Sequence, residues 1–349
     1  MVSILFIGAI NINKKPRGGE EFKNQLFHSI LKDDFGLKVI DTTNWKRKPW
    51  IFFTIVFSIL NPVHTRIIVS TSTRSAYRLF TFLNLFFTSW LLKIKYFVIG
   101  GYLPDGIKLG KLKPEVYRLL AGIIVEGKFL QHKLKNFNID SKVISNFKNC
   151  PSNRVSIEHI KNRVDSNDLF RFVFLSRMIE EKGIYIILEA VNRLNQIFGS
   201  EKIIVDFYGP IDNTDLVKFN SLAPRNCVYH GYLDLTDQNS ENYTLLSSYH
   251  AMLFPTLWYG EGFPGIFIDA FICGLPVICS NNNMNSEIVI DSVNGIVLPN
   301  NDSDHMYQSI KQLLENKDIL LYLSINSYQS FDKFSVEYCR QLIINEINQ

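Results

Sequence analysis

The chain has 349 residues, of which 46% are hydrophobic and 20% are charged, and its formal net charge is +4. These values are typical of a folded globular protein and exclude an intrinsically disordered or fibrous chain. A single core rarely extends over this length, so two domains are expected. The longest apolar stretch, residues 79–92, is shorter than the roughly 20 residues that span a bilayer, which argues against a transmembrane protein.

Charge is distributed unevenly between the two halves of the chain. Residues 1–150 contain 23 Lys/Arg and 9 Asp/Glu, which gives a net charge of +14. Residues 151–349 contain 14 Lys/Arg and 24 Asp/Glu, which gives a net charge of −10. The basic half also contains the aromatic residues Trp45, Trp50, Phe52, Phe53, Phe57, Phe86, Phe87 and Trp90. Basic and aromatic residues together predict contact with an anionic membrane surface, while core aromatics beside a solvated basic face are the alternative. No helix-turn-helix, zinc-finger or RNP-type motif is present, so no nucleic-acid partner is expected.

The five cysteines and the N-terminal residues 2–10 indicate the cellular compartment of the protein. The five cysteines are scattered without a CxxC pair, which favours a reducing compartment. Residues 2–10 are apolar but lack the basic region of a signal peptide, so they predict a first buried strand. The expected location is the cytoplasm, peripheral on the inner face of the plasma membrane.

The N-terminal half alternates between strand-like and helix-like segments. Strands are predicted at residues 3–7, 38–40, 67–70, 96–99, 123–125 and 143–144, and helices at residues 20–31, 74–92 and 128–137. Short apolar strands separated by helices are typical of a parallel sheet covered on both faces. The polar residues 148–168 then predict a connection between two domains.

The same alternation restarts after this polar segment. Strands are predicted at residues 170–176, 202–208, 251–254, 277–279 and 296–298, another strand is expected to end near Tyr229, and helices are predicted at residues 183–198 and 336–347. The pattern predicts an α/β protein with two doubly wound, Rossmann-like domains facing across a cleft.

Residues 254–280 contain the most informative motif of the chain. A helix is predicted from Pro264 to Cys273, because proline fits the first turn of a helix and Gly274 favours its end. Glu261 precedes this helix, and Asp269 lies within it, eight positions further on. The N–H groups at a helix start favour an anion. The motif therefore predicts a site for a polyhydroxylated ligand that also carries phosphate.

This motif resembles the Glu-x7-Glu motif of the retaining glycosyltransferases of the GT4 family, which have the GT-B fold. Glu261, Gly262, Phe263 and Pro264 match the family pattern, and Asp269 stands where the family usually has Glu. The similarity continues through residues 274–280, Ser286-Glu287-Ile288, Asn294-Gly295 and Pro299, and it extends upstream to Arg177, Lys182, Gly183 and, more weakly, Gly18-Gly19.

The resemblance implies a retaining glycosyltransferase. Such an enzyme moves a sugar from a nucleotide diphosphate sugar to a glycan or lipid-linked acceptor, and surface polysaccharide biosynthesis is the expected pathway. The resemblance also implies an acceptor-binding domain over residues 1–160 and a nucleotide-sugar-binding domain over residues 161–330. Residues 331–349 are expected to form a C-terminal helix, and its return to the first domain is a family expectation.

Arg177, Lys182 and Glu261 are the predicted catalytic residues. Arg177 follows a strand and Lys182 opens the next helix, at the end of a parallel strand where such sheets bind ligands. A guanidinium and an ammonium group suit a diphosphate. By the resemblance they hold the leaving group, while Glu261 binds the donor sugar and Asp269 the ribose. The other predicted donor-binding residues are Gly18, Gly19, Gly209, Tyr232, Gly260, Gly262, Phe263 and Pro264.

Gly101 and Asp105 are the predicted acceptor-side residues. Many family members carry a His in this region, whereas this chain has Gly100-Gly101, which favours a bulky or lipid-linked acceptor. The histidines show no metal-ligand spacing, so neither a metal nor another cofactor is expected. Two alternatives remain open, namely another GT-B enzyme such as a nucleotide-sugar epimerase, and a non-catalytic GT-B partner subunit.

Overall fold

The computed structural model describes residues 3–12, 14–165, 169–237 and 241–349, apart from the side chain of Lys46. The strands are β1 (Ser3–Gly8), β2 (Gly36–Asp41), β3 (Arg66–Ser70), β4 (Ile94–Phe97), β5 (Gly122–Val125), β6 (Lys142–Val143), β7 (Phe170–Leu175), β8 (Ile203–Tyr208), β9 (Cys227–Tyr229), β10 (Ala251–Phe254), β11 (Val277–Ser280) and β12 (Gly295–Leu298). The helices are α1 (Gly19–Asp34), α2 (Ile51–Ile59), α3 (Thr73–Phe86), α4 (Thr88–Leu91), α5 (Tyr102–Lys108), α6 (Pro114–Arg118), α7 (Lys128–Lys135), α8 (Ile157–Asp165), α9 (Ile184–Phe198), α10 (Asn213–Leu222), α11 (Glu241–Leu246), α12 (Gly265–Ile272), α13 (Asn285–Ile288), α14 (Ser303–Glu315), α15 (Lys317–Ser330) and α16 (Val336–Asn348).

The chain forms two compact units. Unit 1 contains residues 1–148 and 336–349, and unit 2 contains residues 149–335. Unit 1 has a parallel sheet with strand order β2-β1-β3-β4-β5-β6, and unit 2 has a parallel sheet with order β12-β11-β10-β7-β8-β9. Both sheets are doubly wound, so the predicted α/β class with two Rossmann-like domains is confirmed.

The core of unit 1 includes the last helix of the chain. Phe27 of α1 packs against Phe97 and Phe147, with ring centroids 4.8 and 5.3 Å apart, and Ile343 of α16 lies in the same cluster. The buried carboxylate of Glu346 on α16 binds Lys95 at 2.9 Å and Lys142 at 2.6 Å. Burial opposes ionisation of Glu346, but the hydrogen bonds from both lysines outweigh it and lower the pKa of this carboxyl group. Helix α16 is therefore anchored in unit 1.

Two sequence predictions differ from the structure. The polar segment 148–168 was expected to be a connection between domains, but it contains helix α8, which belongs to unit 2. Ile160 and Val164 of α8 are buried, and the helix packs on α15. The boundary consequently lies at 148/149, twelve residues before the expected position at 160/161. The helix expected over residues 74–92 is interrupted at Phe87, which adopts φ −146° between α3 and α4.

Arg163 joins α8 to the end of α12. Its buried guanidinium group donates to the carbonyl oxygens of Ser247 at 2.9 Å, Cys273 at 3.1 Å and Gly274 at 2.7 Å. Burial lowers the pKa of this group to about 10. These bonds satisfy carbonyl groups that a helix end leaves without partners.

We expect Arg163→Met to destabilise unit 2 by about 2–4 kcal/mol, because three buried acceptors lose their donor. The matched control is Arg193→Met on α9. Arg193 forms a surface ion pair with Asp304, and its loss is expected to cost less than about 1 kcal/mol. Urea unfolding of both variants measures the difference. Equal free energies of unfolding for the two variants would show that Arg163 has no special structural role.

Candidate active site

The motif helix begins and ends where its sequence indicates. Pro264 is the N-cap residue of α12, with φ −71° and ψ 102°, and Gly274 follows the helix with φ +61°. The predicted helix 264–273 therefore exceeds the observed one by one residue at each end. Glu261 lies in the loop before α12.

Three loops of unit 2 lie side by side at the carboxyl edge of its sheet. The Gly209 N–H group, after β8, donates to the Gly231 carbonyl oxygen, after β9, at 2.7 Å. The Met178 N–H group, after β7, donates to the Pro210 carbonyl oxygen at 2.9 Å. Adjacent parallel strands end together, so these contacts bring Arg177, Gly209 and Gly231 to one edge.

Lys182 and Glu261 form an ion pair at this edge. The Nζ atom of Lys182 binds Oε2 of Glu261, and their side chains are only 5% and 14% exposed. The Thr256 hydroxyl group donates to the same carboxylate oxygen at 3.2 Å. Two residues 79 positions apart in sequence thus meet as a nearly buried cation and anion. Lys182 and Glu261 are therefore in contact, as their predicted roles at one site require.

Lys182 is held in place by a tight approach of the backbone. Gly183, directly after it, has φ +79°, and a Cβ atom there would lie 2.0 Å from the Pro255 carbonyl oxygen. The Leu257 N–H group also donates to the Glu181 carbonyl oxygen at 2.7 Å. The loop after β7 therefore contacts the loop after β10, and only glycine fits at position 183.

Arg177 is exposed beside the same loop. Its guanidinium carbon lies 5.0 Å from the ring centroid of Trp258, a cation–π contact that orients the side chain. Gly260 approaches this ring as well, since a Cβ atom there would lie 3.0 Å from the indole nitrogen. The segment after β7 therefore contributes two cations, the exposed Arg177 and the buried Lys182.

Asparagine side chains hold the loop that carries Glu261. Asn282 donates to the Trp258 carbonyl oxygen at 2.9 Å, and Asn283 donates to the carbonyl oxygens of Tyr259 at 2.9 Å and Glu261 at 3.1 Å. The sequence interpretation did not identify these residues or Trp258. The signal was available, because three consecutive asparagines, residues 281–283, follow β11 at the ligand-binding edge of the sheet.

Asp269 lies deeper than Glu261. It is 2% exposed, and its Oδ1 atom accepts a hydrogen bond from the Tyr243 hydroxyl group of α11 at 2.6 Å. Burial, the charge of Asp269 and this hydrogen bond raise the pKa of Tyr243 well above its ordinary value. Tyr243 therefore stays a hydrogen-bond donor and fixes the orientation of the carboxylate. Its role at Asp269 was not predicted from sequence.

A second polar cluster lies behind the loops after β8 and β9. The Asp206 carboxylate is bound by Tyr249 at 2.8 Å, His230 at 2.7 Å and Arg171 at 3.0 Å. Burial opposes its ionisation, but these hydrogen bonds outweigh burial and lower the pKa of Asp206. The His230 ring stacks on Tyr208, with centroids 5.2 Å apart. The cluster thus fixes Tyr208, which precedes Gly209, and His230, which precedes Gly231.

The remaining predicted donor-site residues of unit 2 have different environments. Tyr232 is 69% exposed, Gly262 is half-buried, and Phe263 is buried against Phe334 with ring centroids 5.6 Å apart. Phe263 therefore packs the loop onto Phe334 of unit 2, and its predicted contact with the donor stays a prediction. Pro264 is buried beside it.

Four predicted site residues belong to unit 1. Gly18 is the N-cap of α1, and neither Gly18 nor Gly19 has an atom within 4 Å of a Cβ position, so the space around both is open. Gly101 is the N-cap of α5. Asp105 lies on that helix and binds Lys133 at 3.2 Å. Their predicted ligand contacts stay predictions.

Within the described residues, no group of three or more His, Cys, Asp or Glu side chains is arranged to hold a metal ion. The chain does contain an Asp-x-Asp sequence, Asp302-Ser303-Asp304. Asp302 there caps α14 by accepting a hydrogen bond from the His305 N–H group at 2.8 Å. Asp302 is therefore the N-cap residue of α14, and Asp304 lies in the first turn of the same helix.

The sequence of unit 2 matches a known family. Residues 170–316 match the model of "Glycosyl transferases group 1". This segment therefore resembles that family. An uncharacterized glycosyltransferase of Methanocaldococcus jannaschii is 25% identical over 221 residues, which are 62% of this chain and 56% of the relative. The O-antigen chain mannosyltransferase C of Escherichia coli is 23% identical over 176 residues, 50% of this chain and 45% of the relative. The chain thus spans about half the length of these curated relatives.

Solved glycosyltransferase structures share the fold of the whole chain. HepE of Anabaena, crystallised with UDP and glucose, has a TM-score of 0.69 at 15% identity, with full coverage of both chains. Sucrose-phosphate synthase of Thermosynechococcus elongatus has a TM-score of 0.75 at 14% identity, covering 100% of this chain and 99% of that one. The GT-B fold and the resemblance to group 1 glycosyltransferases are confirmed.

Proposed function

We propose that this protein is a retaining glycosyltransferase of the GT4 type. It moves a hexose from a nucleotide diphosphate sugar to a glycan or lipid-linked acceptor in surface polysaccharide biosynthesis. The observation that carries the proposal is the buried Lys182–Glu261 ion pair beside the exposed guanidinium of Arg177 at the ligand-binding edge of unit 2. The group 1 family match over residues 170–316 supports the same assignment.

The proposed chemistry follows from the charges at this edge. Cleavage of the sugar–phosphate bond develops negative charge on the departing diphosphate. Arg177 and Lys182 are cations that stabilise this charge more in the transition state than in the ground state. Glu261 binds hydroxyl groups of the donor sugar, and the backbone at Gly260 and Gly262 borders the same position. The acceptor oxygen bonds to the anomeric carbon on the face from which the diphosphate leaves, and the departing phosphate takes the proton of the acceptor hydroxyl group. The anomeric configuration is therefore retained.

The nucleotide is proposed to bind along the neighbouring loops. Gly209 and Tyr232 follow β8 and β9 and border the base and ribose. Asp269 binds the ribose, and Tyr243 holds its carboxylate in the required orientation, which compensates for a side chain shorter than the Glu usual at this position. Gly18 and Gly19 of unit 1 contribute open backbone for the donor phosphate, and Gly101 and Asp105 border the acceptor.

Product analysis tests the proposal. The purified protein is incubated with a panel of nucleotide diphosphate sugars and a lipid extract, in the presence of EDTA, and the product is analysed by NMR. We expect transfer that persists in EDTA, since lysine and arginine provide the charge stabilisation, and a product with the anomeric configuration of the donor. An inverted product, loss of transfer in EDTA, or epimerisation of the donor without transfer would contradict the proposal.

We also propose that unit 1 binds an anionic membrane surface on the cytoplasmic side. Residues 42–104 contain eight Lys or Arg and no Asp or Glu. Within them Phe53, Phe57 and Phe86 are 63%, 71% and 65% exposed, and Phe52 links α2 to α3 by contact with Phe82 at 5.1 Å. Exposed aromatic side chains in a segment without Asp or Glu suit anionic lipid. Among the described residues, no helix is long and apolar enough to cross a membrane.

We expect the double substitution Phe53→Asp and Phe57→Asp to weaken partitioning onto phosphatidylglycerol vesicles at least ~10-fold, because two aromatic rings no longer enter the lipid. The control is Val217→Asp, at a side chain of unit 2 that is 71% exposed. Vesicle sedimentation at two salt concentrations measures the effect, and added salt is expected to weaken wild-type binding. Equal loss in both variants, or wild-type binding to neutral vesicles alone, would contradict this assignment.

A further inference from the structure

Thr256 is a buried neighbour of the Lys182–Glu261 ion pair. It lies two residues after β10 and is fully buried. Its hydroxyl group donates to Glu261 Oε2 at 3.2 Å and accepts a hydrogen bond from the Trp258 N–H group, also at 3.2 Å. A hydroxyl group has a single proton to donate, and a backbone N–H group can only donate. The Thr256 proton is therefore directed to the Glu261 carboxylate.

The two oxygen atoms of the Glu261 carboxylate have different surroundings. Oε2 binds both Lys182 Nζ and the Thr256 hydroxyl group. Among the residues that the structure describes, none donates a hydrogen bond to Oε1. The Glu261 side chain is 14% exposed, so part of it remains accessible. Oε1 is therefore the oxygen atom that can still accept a hydrogen bond from a ligand.

Side chains from two other segments fix the backbone of Thr256. Its carbonyl oxygen accepts hydrogen bonds from the Ser280 hydroxyl group at 2.8 Å and from Asn301 Nδ2 at 3.1 Å. Asn301 Nδ2 also donates to the Pro255 carbonyl oxygen at 3.2 Å. Ser280 is the last residue of β11, and Asn301 follows β12. The backbone from which the Thr256 hydroxyl group extends is thus held from the neighbouring strands.

The same backbone contacts the segment that carries Lys182. The Pro255 carbonyl oxygen would lie 2.0 Å from a Cβ atom at Gly183, the residue directly after Lys182, so the two segments approach closely. Residues 255–256 therefore contact the segment of the cation through the Pro255 carbonyl group and the anion through the Thr256 hydroxyl group.

We propose that Thr256 is a positioning residue for Glu261. The ammonium group of Lys182 is a point charge without a preferred direction, so alone it leaves the carboxylate free to rotate about one contact. The Thr256 hydroxyl group adds a second contact to Oε2 and fixes that rotation. Oε1 is then held in one orientation for a hydroxyl group of the donor sugar. The inference rests on the proposed function, because it assigns Glu261 to that sugar.

Ligand titration of the purified 349-residue chain tests this role. The probes are the nucleotide diphosphate sugar that supports transfer in the product analysis and the nucleoside diphosphate that it releases. Thr256→Val retains the side-chain shape but lacks the hydroxyl group. We expect it to weaken binding of the nucleotide sugar about 10-fold, the equivalent of one hydrogen bond. Binding of the nucleoside diphosphate is expected to stay unchanged, because that ligand lacks the transferred sugar.

Two variants control for folding and packing. Thr256→Ser retains the hydroxyl group and loses a methyl group, so it is expected to bind the nucleotide sugar like the wild type. Ser327→Ala removes another buried hydroxyl group of unit 2, which donates to the Leu275 carbonyl oxygen at 2.6 Å. It is expected to leave both affinities unchanged. A role for Thr256 in packing alone would reverse the order, with Thr256→Ser affected and Thr256→Val unaffected.

A double variant shows whether Thr256 acts through Glu261. Glu261→Ala is expected to lose the affinity that the transferred sugar contributes. Thr256→Val is expected to cause no further loss in the Glu261→Ala background, because substitutions of two residues in one hydrogen-bonded unit are not additive.

Several results would overturn the proposal. Equal weakening of both ligands in Thr256→Val would assign the hydroxyl group to the loop at Trp258, which also contacts Arg177. Unchanged nucleotide sugar binding in Thr256→Val, or the same loss in the Glu261→Ala background, would also overturn it. Unchanged nucleotide sugar binding in Glu261→Ala would remove Glu261 from the proposed function, and this inference with it. If Glu261→Ala loses the sugar contribution while Thr256→Val does not, only this inference is lost.

Discussion

Replacement of Lys182 by Met is expected to lower the rate of sugar transfer by about 10²–10³-fold, the loss typical of removing one group that stabilises transition-state charge. The Lys182 side chain is 5% exposed and its ammonium group is fixed by Glu261, so it needs no reorganisation when charge develops on the diphosphate. Steady-state kinetics with the preferred donor measures the effect. The loss is expected mainly in kcat, because the interaction strengthens in the transition state.

Two further variants separate catalysis from folding. Lys182→Met leaves the nearly buried Glu261 without its cation, which is expected to lower stability as well. The double variant Lys182→Met with Glu261→Gln removes the unpaired charge, so it is expected to regain stability and remain inactive. Lys202→Met, at an exposed lysine of unit 2, is the control for losing a positive charge. Transfer at the wild-type rate in Lys182→Met would remove Lys182 from the catalytic assignment.

Gly209→Ala is expected to destabilise unit 2 by more than about 4 kcal/mol or to prevent its folding. Gly209 has φ +147°, and a Cβ atom there would lie 1.7 Å from the Ser176 carbonyl oxygen. The overlap is with backbone, so relief requires separating the ends of β7 and β8, the strands that position Arg177. Loss of nucleotide binding is expected together with loss of stability.

Gly231→Ala is the matched control for Gly209→Ala. Gly231 has φ +82°, but no atom lies within 4 Å of its Cβ position. Its substitution therefore adds only backbone strain, of about 1–2 kcal/mol. Urea unfolding compares the two variants. If Gly209→Ala is no less stable than Gly231→Ala, the close approach between the two loops does not limit stability.

The sequence predicted the regular part of the fold well. Strands β7, β10 and β11 are mostly apolar segments of a buried parallel sheet, and each was located to within one residue. Helix α12 was delimited by Pro264 and Gly274, whose backbone preferences are local. In these cases the signal lies within the segment itself.

Sequence patterns did not predict the helices whose formation depends on tertiary contacts. Helix α8 was missed because Ile157, Ile160 and Val164 lie among many polar residues, although their spacing fits a helix face that packs on α15. Helix α2 is apolar on its exposed side too, with Phe57 71% exposed, so it has no helical alternation of apolar and polar residues.

The same limit applies to the candidate site. A motif identified Glu261, Lys182 and Asp269, but their partners come from distant segments. Tyr243 lies 26 positions from Asp269, and Asn283 lies in the loop after another strand, so no local pattern connects them. The fold brings these residues together because adjacent parallel strands end at one edge.

The central claim is that Arg177 and Lys182 of unit 2 bind the diphosphate of a nucleotide. The most direct measurement is calorimetric titration with nucleoside diphosphates and the corresponding monophosphates, for the wild type and for Arg177→Ala. We expect the wild type to bind one diphosphate at least ~10-fold more tightly than its monophosphate, and Arg177→Ala to lose most of that difference. Equal affinity of the wild type for both nucleotides, or an unchanged preference in Arg177→Ala, would contradict the claim.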